Sequence, residues 1–210
     1  MQNFIISGLL LSTPLLLAAI GDLYAEKSGV LNLGIEATMI MGAYFAYHFA
    51  FLSGSAYTGL AAAVFIGLVM GSINALFLVT LKVSQVVYGV AINILGLGFT
   101  STLFRLFFEV GEGYQSSPGL PKIVIPGISA IPFIGPIISN QTILSYIAVA
   151  FLIITIIVFR STTVGLKIRA TGENPHAADS LGGSVSLVRY SGLLISGVFS
   201  ALGGAALSIG

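Results

Sequence analysis

The sequence contains no cysteine and no tryptophan, and only 7% of its 210 residues are charged. Without cysteine the chain has no disulfide, no thiolate nucleophile and no cysteine-ligated metal site. Its two histidines, His48 and His176, are far apart and lack metal-ligand spacing, so we expect neither a metal nor another cofactor. A net charge of +1 gives no reason to expect a nucleic-acid partner.

Scarce charge goes together with abundant apolar residues, which make up 56% of the chain. A soluble domain carries about 25% charged residues, whereas a membrane-crossing helix needs about 20 consecutive apolar ones. Six runs meet this need, at residues 4–20, 33–52, 57–81, 86–108, 143–159 and 190–210. The sequence therefore predicts an all-α, polytopic transmembrane bundle of about six helices, forming one domain over 1–210. Because the last run has no charged or aromatic anchor at its end, we expect a chain truncated at its C-terminus.

The connection between the fourth and fifth runs, Glu109 to Gln141, is unusually rich in proline. Its prolines are Pro118, Pro121, Pro126, Pro132 and Pro136. Proline removes a backbone donor and disrupts helices, so this connection cannot be a continuous spanning helix. Its apolar stretch from Ile123 to Ile138 predicts either a folded loop over the helix ends or a re-entrant segment buried in protein.

Basic residues are distributed unevenly between the two predicted sides of the membrane. If the helices alternate in direction, one side receives Lys27, Lys82, Arg160, Lys167, Arg169 and Arg189. The other side receives only Arg105 and Lys122. Cytoplasmic loops are enriched in lysine and arginine, so we expect the first side to face the cytoplasm and the N-terminus to lie outside.

The polar loop at 160–189 contains signals for a short helix. Asn174 is a good N-cap, Pro175 suits the first helical position, and Gly182-Gly183 stops the helix. A helix this short is unstable alone in water and needs a surface on which to dock. Two interpretations stay open: a solvated loop whose basic residues set topology, or a lever that contacts a soluble protein.

Three polar side chains in the apolar runs are candidates for a substrate pathway: Asn74, Asn93 and Glu36. A buried amide is costly unless it is partnered or faces water, so Asn74 and Asn93 could bind substrate. The alternative is an interhelical hydrogen bond that holds the bundle together. Glu36 could be a gate, or it could reach the membrane interface and pair with a basic residue such as Lys27.

Small residues spaced four apart predict close helix packing. Gly67 and Gly71 form a GxxxG pair, and looser pairs are Gly42 with Ala46 and Ser200 with Gly204. Ordinary tight packing and a flexible wall that rocks during transport are both compatible with this pattern.

Three stretches resemble the permease subunits of bacterial ATP-binding-cassette importers for branched-chain amino acids, simple sugars and nucleosides. Gly29–Glu36 (GVLNLGIE) is similar to that family's N-terminal motif, and 165–179 (GLKIRATGENPHAAD) to its cytoplasmic coupling loop. Ser84–Asn93 (SQVVYGVAIN) resembles a further family segment. The similarity covers most of the chain, and within the family the chain most resembles the nucleoside or simple-sugar members. Ala37 stands where glycine is usual, and Gly183 where an aliphatic residue is usual.

The resemblance implies a multi-pass protein of the bacterial plasma membrane that lines a pathway with a second, identical or related permease subunit. Cytoplasmic ATPase subunits would drive transport, an extracytoplasmic binding protein would deliver substrate, and membrane lipid would surround the helices. The residues implied to couple to the ATPases are Gly172, Glu173, Asn174, Pro175, His176, Ala177, Ala178 and Asp179. Because the chain lacks a GxxxxGK[ST] phosphate loop, we expect ATP hydrolysis on the partners and no enzymatic activity here.

Other functions stay open. A transporter driven by an ion gradient would need an ionisable group near the membrane midplane, and every charge here falls near the end of a run. A branched-chain amino acid permease of the same family is a second alternative. A structural membrane subunit without a pathway is a third, and the polar Asn74 and Asn93 argue against it.

Overall fold

The computed structural model describes residues 2–108, 117–123, 141–180 and 182–210, with side chains from Gly8 onward. Within these residues the long helices are α1 (Gln2–Lys27), α2 (Ile35–Ser53), α3 (Ala56–Ala75), α4 (Gln85–Phe107), α5 (Ile143–Ser161) and α8 (Val185–Ile209). The shorter α6 (Thr163–Glu173) and α7 (Pro175–Ser180) lie between α5 and α8. All six long helices are long and apolar enough to cross a membrane. The expected all-α polytopic bundle is confirmed.

Helix α8 is the centre of the bundle and packs against α1, α2 and α3. In its membrane-crossing window 67% of the residues are buried, against 22% in α4 and 17% in α5. Helices α4 and α5 therefore lie at the periphery and present apolar side chains outward.

The predicted GxxxG pair lies where α3 crosses α8. A Cβ on Gly71 would come within 2.8 Å of the carbonyl oxygen of Leu193, and one on Gly67 within 2.7 Å of that of Gly197. Close backbone approach of this kind stabilises helix association in lipid, where the hydrophobic effect does not drive helices together. The looser pairs lie at interfaces as well, with Gly42 against Ala201, Ala46 against Gly59 and Gly204 against Met39. These contacts match the tight-packing interpretation.

Two helix boundaries differ from the apolar runs. Helix α1 continues through the polar segment after Ile20 to Lys27, because Tyr24 and Ala25 are buried within the bundle. The loop predicted at 160–189 contains a whole additional helix, α6, and α8 already begins at Val185. Apolar content alone did not predict these helical segments, because each is polar overall and buries only one of its sides.

The proline-rich connection is described only at its two ends. The backbone N–H of Leu120 donates to the carbonyl oxygen of Ile209 over 2.7 Å, so residues 117–120 pack on the end of α8. A two-residue ribbon follows, in which β1 (Lys122–Ile123) pairs antiparallel with β2 (Gln141–Thr142). The described part is thus a loop over a helix end. The stretch with Pro126, Pro132 and Pro136, and with it the re-entrant alternative, lies outside the described residues.

Helix directions gather the basic residues at one end. Helices α1 and α8 run antiparallel, since Gly192 contacts Tyr24 and Gly203 contacts Pro14. Lys27 and Arg160 occupy the last turns of α1 and α5. The basic end, as we call it, comprises Lys27, Lys82, Arg160, Lys167, Arg169 and Arg189. Which side of the membrane it faces stays a prediction.

Candidate coupling site

Helix α6 folds directly back on the end of α5. The side chain of Thr162 caps it by accepting a hydrogen bond from the backbone N–H of Gly165 over 3.2 Å. A Cβ on Gly165 would overlap the carbonyl oxygen of Val158, so only glycine permits this close turn. The local sequence thus fixes where the predicted coupling loop leaves the membrane helices.

One side of α6 is buried and the other is exposed. The buried residues, Gly165, Ile168 and Thr171, are three apart and so share a helix face. Lys167 and Arg169 are exposed. This amphipathic pattern explains why a helix forms in a segment with little overall hydrophobicity: it docks on α1 and α5.

Gly172, near the end of α6, lies directly against the backbone at the end of α1. A Cβ on Gly172 would overlap the carbonyl oxygen of Lys27 and lie 3.2 Å from the nitrogen of Gly29. Arg189 of α8 holds the same segment, since its Nε donates to the carbonyl oxygen of Ser28 over 3.3 Å. The end of α1 is therefore clamped between the coupling loop and the central helix.

Helix α7 carries both of its predicted end signals. The Asn174 side-chain oxygen accepts a hydrogen bond from the Ala177 backbone N–H over 3.0 Å, as an N-cap does. Gly182 has φ +80°, a left-handed conformation that favours glycine. The Gly183 N–H donates to the carbonyl oxygen of Ala178 over 3.0 Å, which completes a Schellman motif. The short helix predicted from these residues is confirmed.

The predicted coupling residues form one protruding turn at the basic end. Glu173, Asn174, His176, Ala177 and Asp179 are exposed, and Gly172, Pro175 and Ala178 are half-buried. No residue of α7 is buried. Helix α7 is thus capped at both ends and leaves most of its side chains exposed.

A buried hydrogen-bond network lies just inside the basic end, and its centre is Asn32. The Asn32 Nδ2 donates to Oγ of Ser196 over 3.0 Å, and its Oδ1 accepts from Nδ2 of Asn74 over 3.3 Å. Oδ1 of Asn74 in turn accepts from the Tyr88 hydroxyl over 2.7 Å. The network joins the α1–α2 segment, α3, α4 and α8.

This geometry bears on the alternatives for Asn74. Its side chain is fully buried, and both its oxygen and its nitrogen are hydrogen-bonded to protein. That arrangement is the interhelical bond, and in this conformation Asn74 has no exposed atom with which to touch a substrate.

Asn93 and Glu36 lie next to each other where α2 begins. The Asn93 Oδ1 accepts from the Ala37 N–H over 3.0 Å, and its Nδ2 donates to the carbonyl oxygen of Leu33 over 3.1 Å. Asn93 is half-buried, and Glu36 is exposed on the first turn of α2. Both residues therefore lie at the start of α2, and we refer to them together as a polar patch.

Ala37, one of the departures from the family pattern, fits without strain. It is fully buried, and the space facing its Cβ is provided by Gly96 of α4. A Cβ on Gly96 would lie 2.8 Å from that of Ala37, so one small residue compensates for the other.

A π-helical segment, Leu76–Thr80, follows Asn74 at the basic end of α3. Its wider turn is closed by the Leu81 N–H, which donates to the carbonyl oxygen of Leu76 over 2.9 Å. Phe77 within it stacks on Tyr88 at 5.2 Å between ring centroids. Such wide turns concentrate at functional sites, and this one adjoins the polar network.

The opposite end holds a half-open cavity of about 530 Å³ between α2, α4 and α8. Its lining includes Tyr44, Tyr47, Thr100, Ser101, Phe104 and Arg105. This cavity therefore combines aromatic faces, hydroxyl groups and a guanidinium group.

The structure brings together the three stretches that carry the family resemblance. Gly172 joins the coupling stretch to the N-terminal motif, while Gln85 accepts a hydrogen bond from the Leu31 N–H over 3.2 Å and joins the third stretch to it. Asn32 and Tyr88 were not among the predicted site residues, although both lie in the quoted motifs and both belong to the buried network. Ser196 has no local signal, because isolated serines are common in membrane helices.

The described residues form six helices able to cross a membrane, with a docked amphipathic helix and a capped short helix before the last of them, and these define a polytopic membrane protein. The chain belongs to the family described as branched-chain amino acid transport system / permease component, whose profile matches residues 4–210. It is accordingly a multi-pass membrane protein of a transport family.

Three relatives illustrate the similarity. The guanosine ABC transporter permease protein of Bacillus subtilis is 36% identical over 93% of this chain and 64% of its own length. The putative glucose ABC transporter permease protein of Haloferax volcanii is 33% identical over 94% and 60%. The nucleoside ABC transporter permease protein of Lactococcus lactis is 32% identical over 98% and 67%. The chain thus spans about two thirds or less of these relatives, and no solved structure matches it.

Proposed function

We propose that this chain is a permease subunit of an ATP-driven importer for nucleosides or simple sugars. The substrate class is supported by the names of the relatives, which refer to guanosine, nucleosides and glucose. The family description refers to branched-chain amino acids, which are therefore the alternative cargo.

The contact of Gly172 with Lys27 and Gly29 is the observation that carries the proposal. It joins α6, which leads directly into the protruding, capped helix α7, to the end of α1 through backbone alone. A contact without a flexible side chain transmits a displacement instead of absorbing it. A push on α7 therefore moves α6 and the end of α1 together, and the Arg189–Ser28 hydrogen bond passes it to α8.

The push comes from separate ATPase subunits that dock on α7 at the basic end, which faces the cytoplasm. ATP-driven closure of these subunits tilts the helices between outward-open and inward-open arrangements as rigid bodies. Reversing a 1:99 equilibrium takes about 5.5 kcal/mol of differential binding. The network around Asn32 extends the movement to α3 and α4.

A second permease subunit, identical or related, completes the pathway, and an extracytoplasmic binding protein delivers substrate to the opposite end. The patch of Glu36 and Asn93 is our candidate for a pathway surface near the cytoplasm. An exposed carboxylate beside a half-buried amide is costly against lipid and favourable against water. Asn74 acts through the network and holds the wall of this pathway.

Uptake into vesicles tests the function. The full-length permease, reconstituted with its ATPases and binding protein, should take up labelled guanosine or glucose only with internal ATP and without any ion gradient. Uptake driven by an ion gradient in the absence of ATP would overturn the proposal, because a secondary transporter would then be at work.

Charge reversal on the coupling turn tests the mechanism separately. Glu173→Lys and Asp179→Lys should abolish substrate-stimulated ATP hydrolysis while membrane insertion stays normal, because both carboxylates are exposed beside or on α7. Glu26→Lys is the matched control, since Glu26 is exposed at the same end but on α1. Stimulation unchanged in the α7 variants would contradict the lever.

A further inference from the structure

A cleft of about 670 Å³ opens on the surface of the bundle between α1, α5 and α6. Most of its walls are apolar. They comprise Leu16, Ala19 and Leu23 on α1 and Leu152, Ile156 and Phe159 on α5. Apolar walls in a membrane protein match hydrocarbon chains, so this part of the cleft lies at the depth of the lipid tails.

One end of the same cleft is cationic. Lys27, Arg160 and Arg169 line it, and all three side chains are exposed. They come from three different helices, which converge where the coupling loop leaves the bundle. No acidic residue is among those that line the cleft in the described chain. The cleft therefore combines an apolar channel with an uncompensated positive end.

The dimensions of the cleft correspond to one membrane leaflet. Leu16 and Lys27 are eleven residues apart on α1. At a rise of about 1.5 Å per residue this gives about 16 Å, close to half of a hydrocarbon core about 30 Å thick. When the apolar walls lie among the lipid tails, the three cations therefore lie at the depth of the headgroups.

We propose that this cleft is a binding site for one anionic phospholipid, with an acyl chain between α1 and α5 and its phosphate on Lys27, Arg160 and Arg169. Arginine is well suited to the phosphate because its planar donors can form paired hydrogen bonds. Basic pockets at the cytoplasmic ends of membrane helices attract anionic headgroups in this way.

The headgroup would fasten α1, α5 and α6 to one another. Because these helices frame the coupling loop, bound lipid stabilises the position of that loop. The site depends only on the cleft and its charges, and it stands whatever the protein transports.

Lipid retention by the full-length protein tests the site. Protein purified from mixed-lipid nanodiscs should retain phosphatidylglycerol in preference to phosphatidylcholine, as measured by native mass spectrometry. Lys27→Gln, Arg160→Gln and Arg169→Gln should each weaken phosphatidylglycerol binding about fivefold, which corresponds to about 1 kcal/mol per cation. Lys167→Gln is the matched control, because Lys167 is exposed on α6 but does not line the cleft.

A second variant tests the apolar half without touching a cation. Ala19 is exposed within the cleft, so Ala19→Phe should fill the channel and reduce lipid retention at unchanged thermal stability. Equal retention of the two lipids would overturn the proposal. So would binding of inorganic phosphate that survives Ala19→Phe, since the cations would then hold a free anion. A photo-crosslinker at position 19 that captures protein and not lipid would assign the cleft to a protein neighbour and overturn it as well.

Discussion

The hydroxyl of Tyr88 donates to Oδ1 of Asn74 across 2.7 Å and connects α4 to α3 inside the bundle. Through Asn74 the bond extends to Asn32 and then to Ser196 of the central helix. All four side chains in this series of hydrogen bonds are buried. One set of hydrogen bonds therefore holds four separate segments together, and its polar groups pair with protein instead of with water.

Removing one hydroxyl tests how much this network contributes. We expect Tyr88→Phe to lower the free energy of unfolding by about 1–3 kcal/mol, because the Asn74 oxygen loses its donor while the ring is kept. Denaturant unfolding in a fixed detergent measures the change. The control is Tyr57→Phe, since Tyr57 is 56% exposed and its loss should cost almost nothing. Equal effects of the two substitutions would contradict a special role of the network.

Gly172 allows a second test. Gly172→Ala places a Cβ on the carbonyl oxygen of Lys27 and forces α6 away from α1. We expect a loss of about 1–3 kcal/mol in unfolding free energy, together with reduced substrate-stimulated ATP hydrolysis by the assembled transporter. Gly98→Ala is the control, because a Cβ on Gly98 meets nothing within 4 Å. If Gly172→Ala retained full stability and stimulation, the α6–α1 contact could not be the route of coupling.

The two ends of α7 can be weakened independently. Asn174→Ala removes the N-cap and should cost the helix about 1 kcal/mol. Gly182→Ala forces a left-handed residue to carry a Cβ and should cost at least about 1 kcal/mol, whereas Gly182→Asn should cost less because asparagine tolerates that conformation. Hydrogen exchange of the backbone amides of residues 176–180 provides the measurement. If exchange in all three variants were as slow as in the unaltered protein, α7 would not be held by its caps.

The crossing of α3 and α8 leaves no room for a larger residue. A Cβ on Gly197 would overlap the carbonyl oxygen of Gly67 and lie 2.8 Å from the Cα of Gly71. We expect Gly197→Ala to lower the unfolding temperature clearly, with a cost of about 1–3 kcal/mol from overpacking. Thermal unfolding monitored by circular dichroism measures this, and Gly98→Ala again provides the comparison. An unchanged midpoint would show that this crossing can separate freely, as the rocking-wall interpretation requires.

Part of the structure of the candidate coupling site could be predicted because its signals are local. Asn174, Pro175 and Gly182 act on backbone groups within a few residues of themselves, so the ends of α7 follow from the sequence. Helix α6 was missed, because its pattern of buried residues is meaningful only once α1 and α5 provide a surface for Gly165 and Ile168.

For the polar candidate residues too, the sequence predicted one part and the tertiary structure decided the other. The sequence indicated that Asn74 and Asn93 need partners, since an amide in lipid is costly without one. It could not name those partners, because Asn32 and Asn74 are 42 residues apart, and Asn32 and Ser196 are 164 apart. Only folding brings such residues within hydrogen-bond distance.

By itself, the sequence determined the membrane location, the six crossings and the capped helix of the coupling loop. These features depend on how many apolar residues follow one another and on short-range backbone preferences, which act before the helices meet. The tertiary structure alone decided that α8 is the central helix, that Gly172 rests on the end of α1, and that three cations converge on one apolar cleft. Those relationships depend on which helix faces pack together, and the packing of small residues across helices sets them.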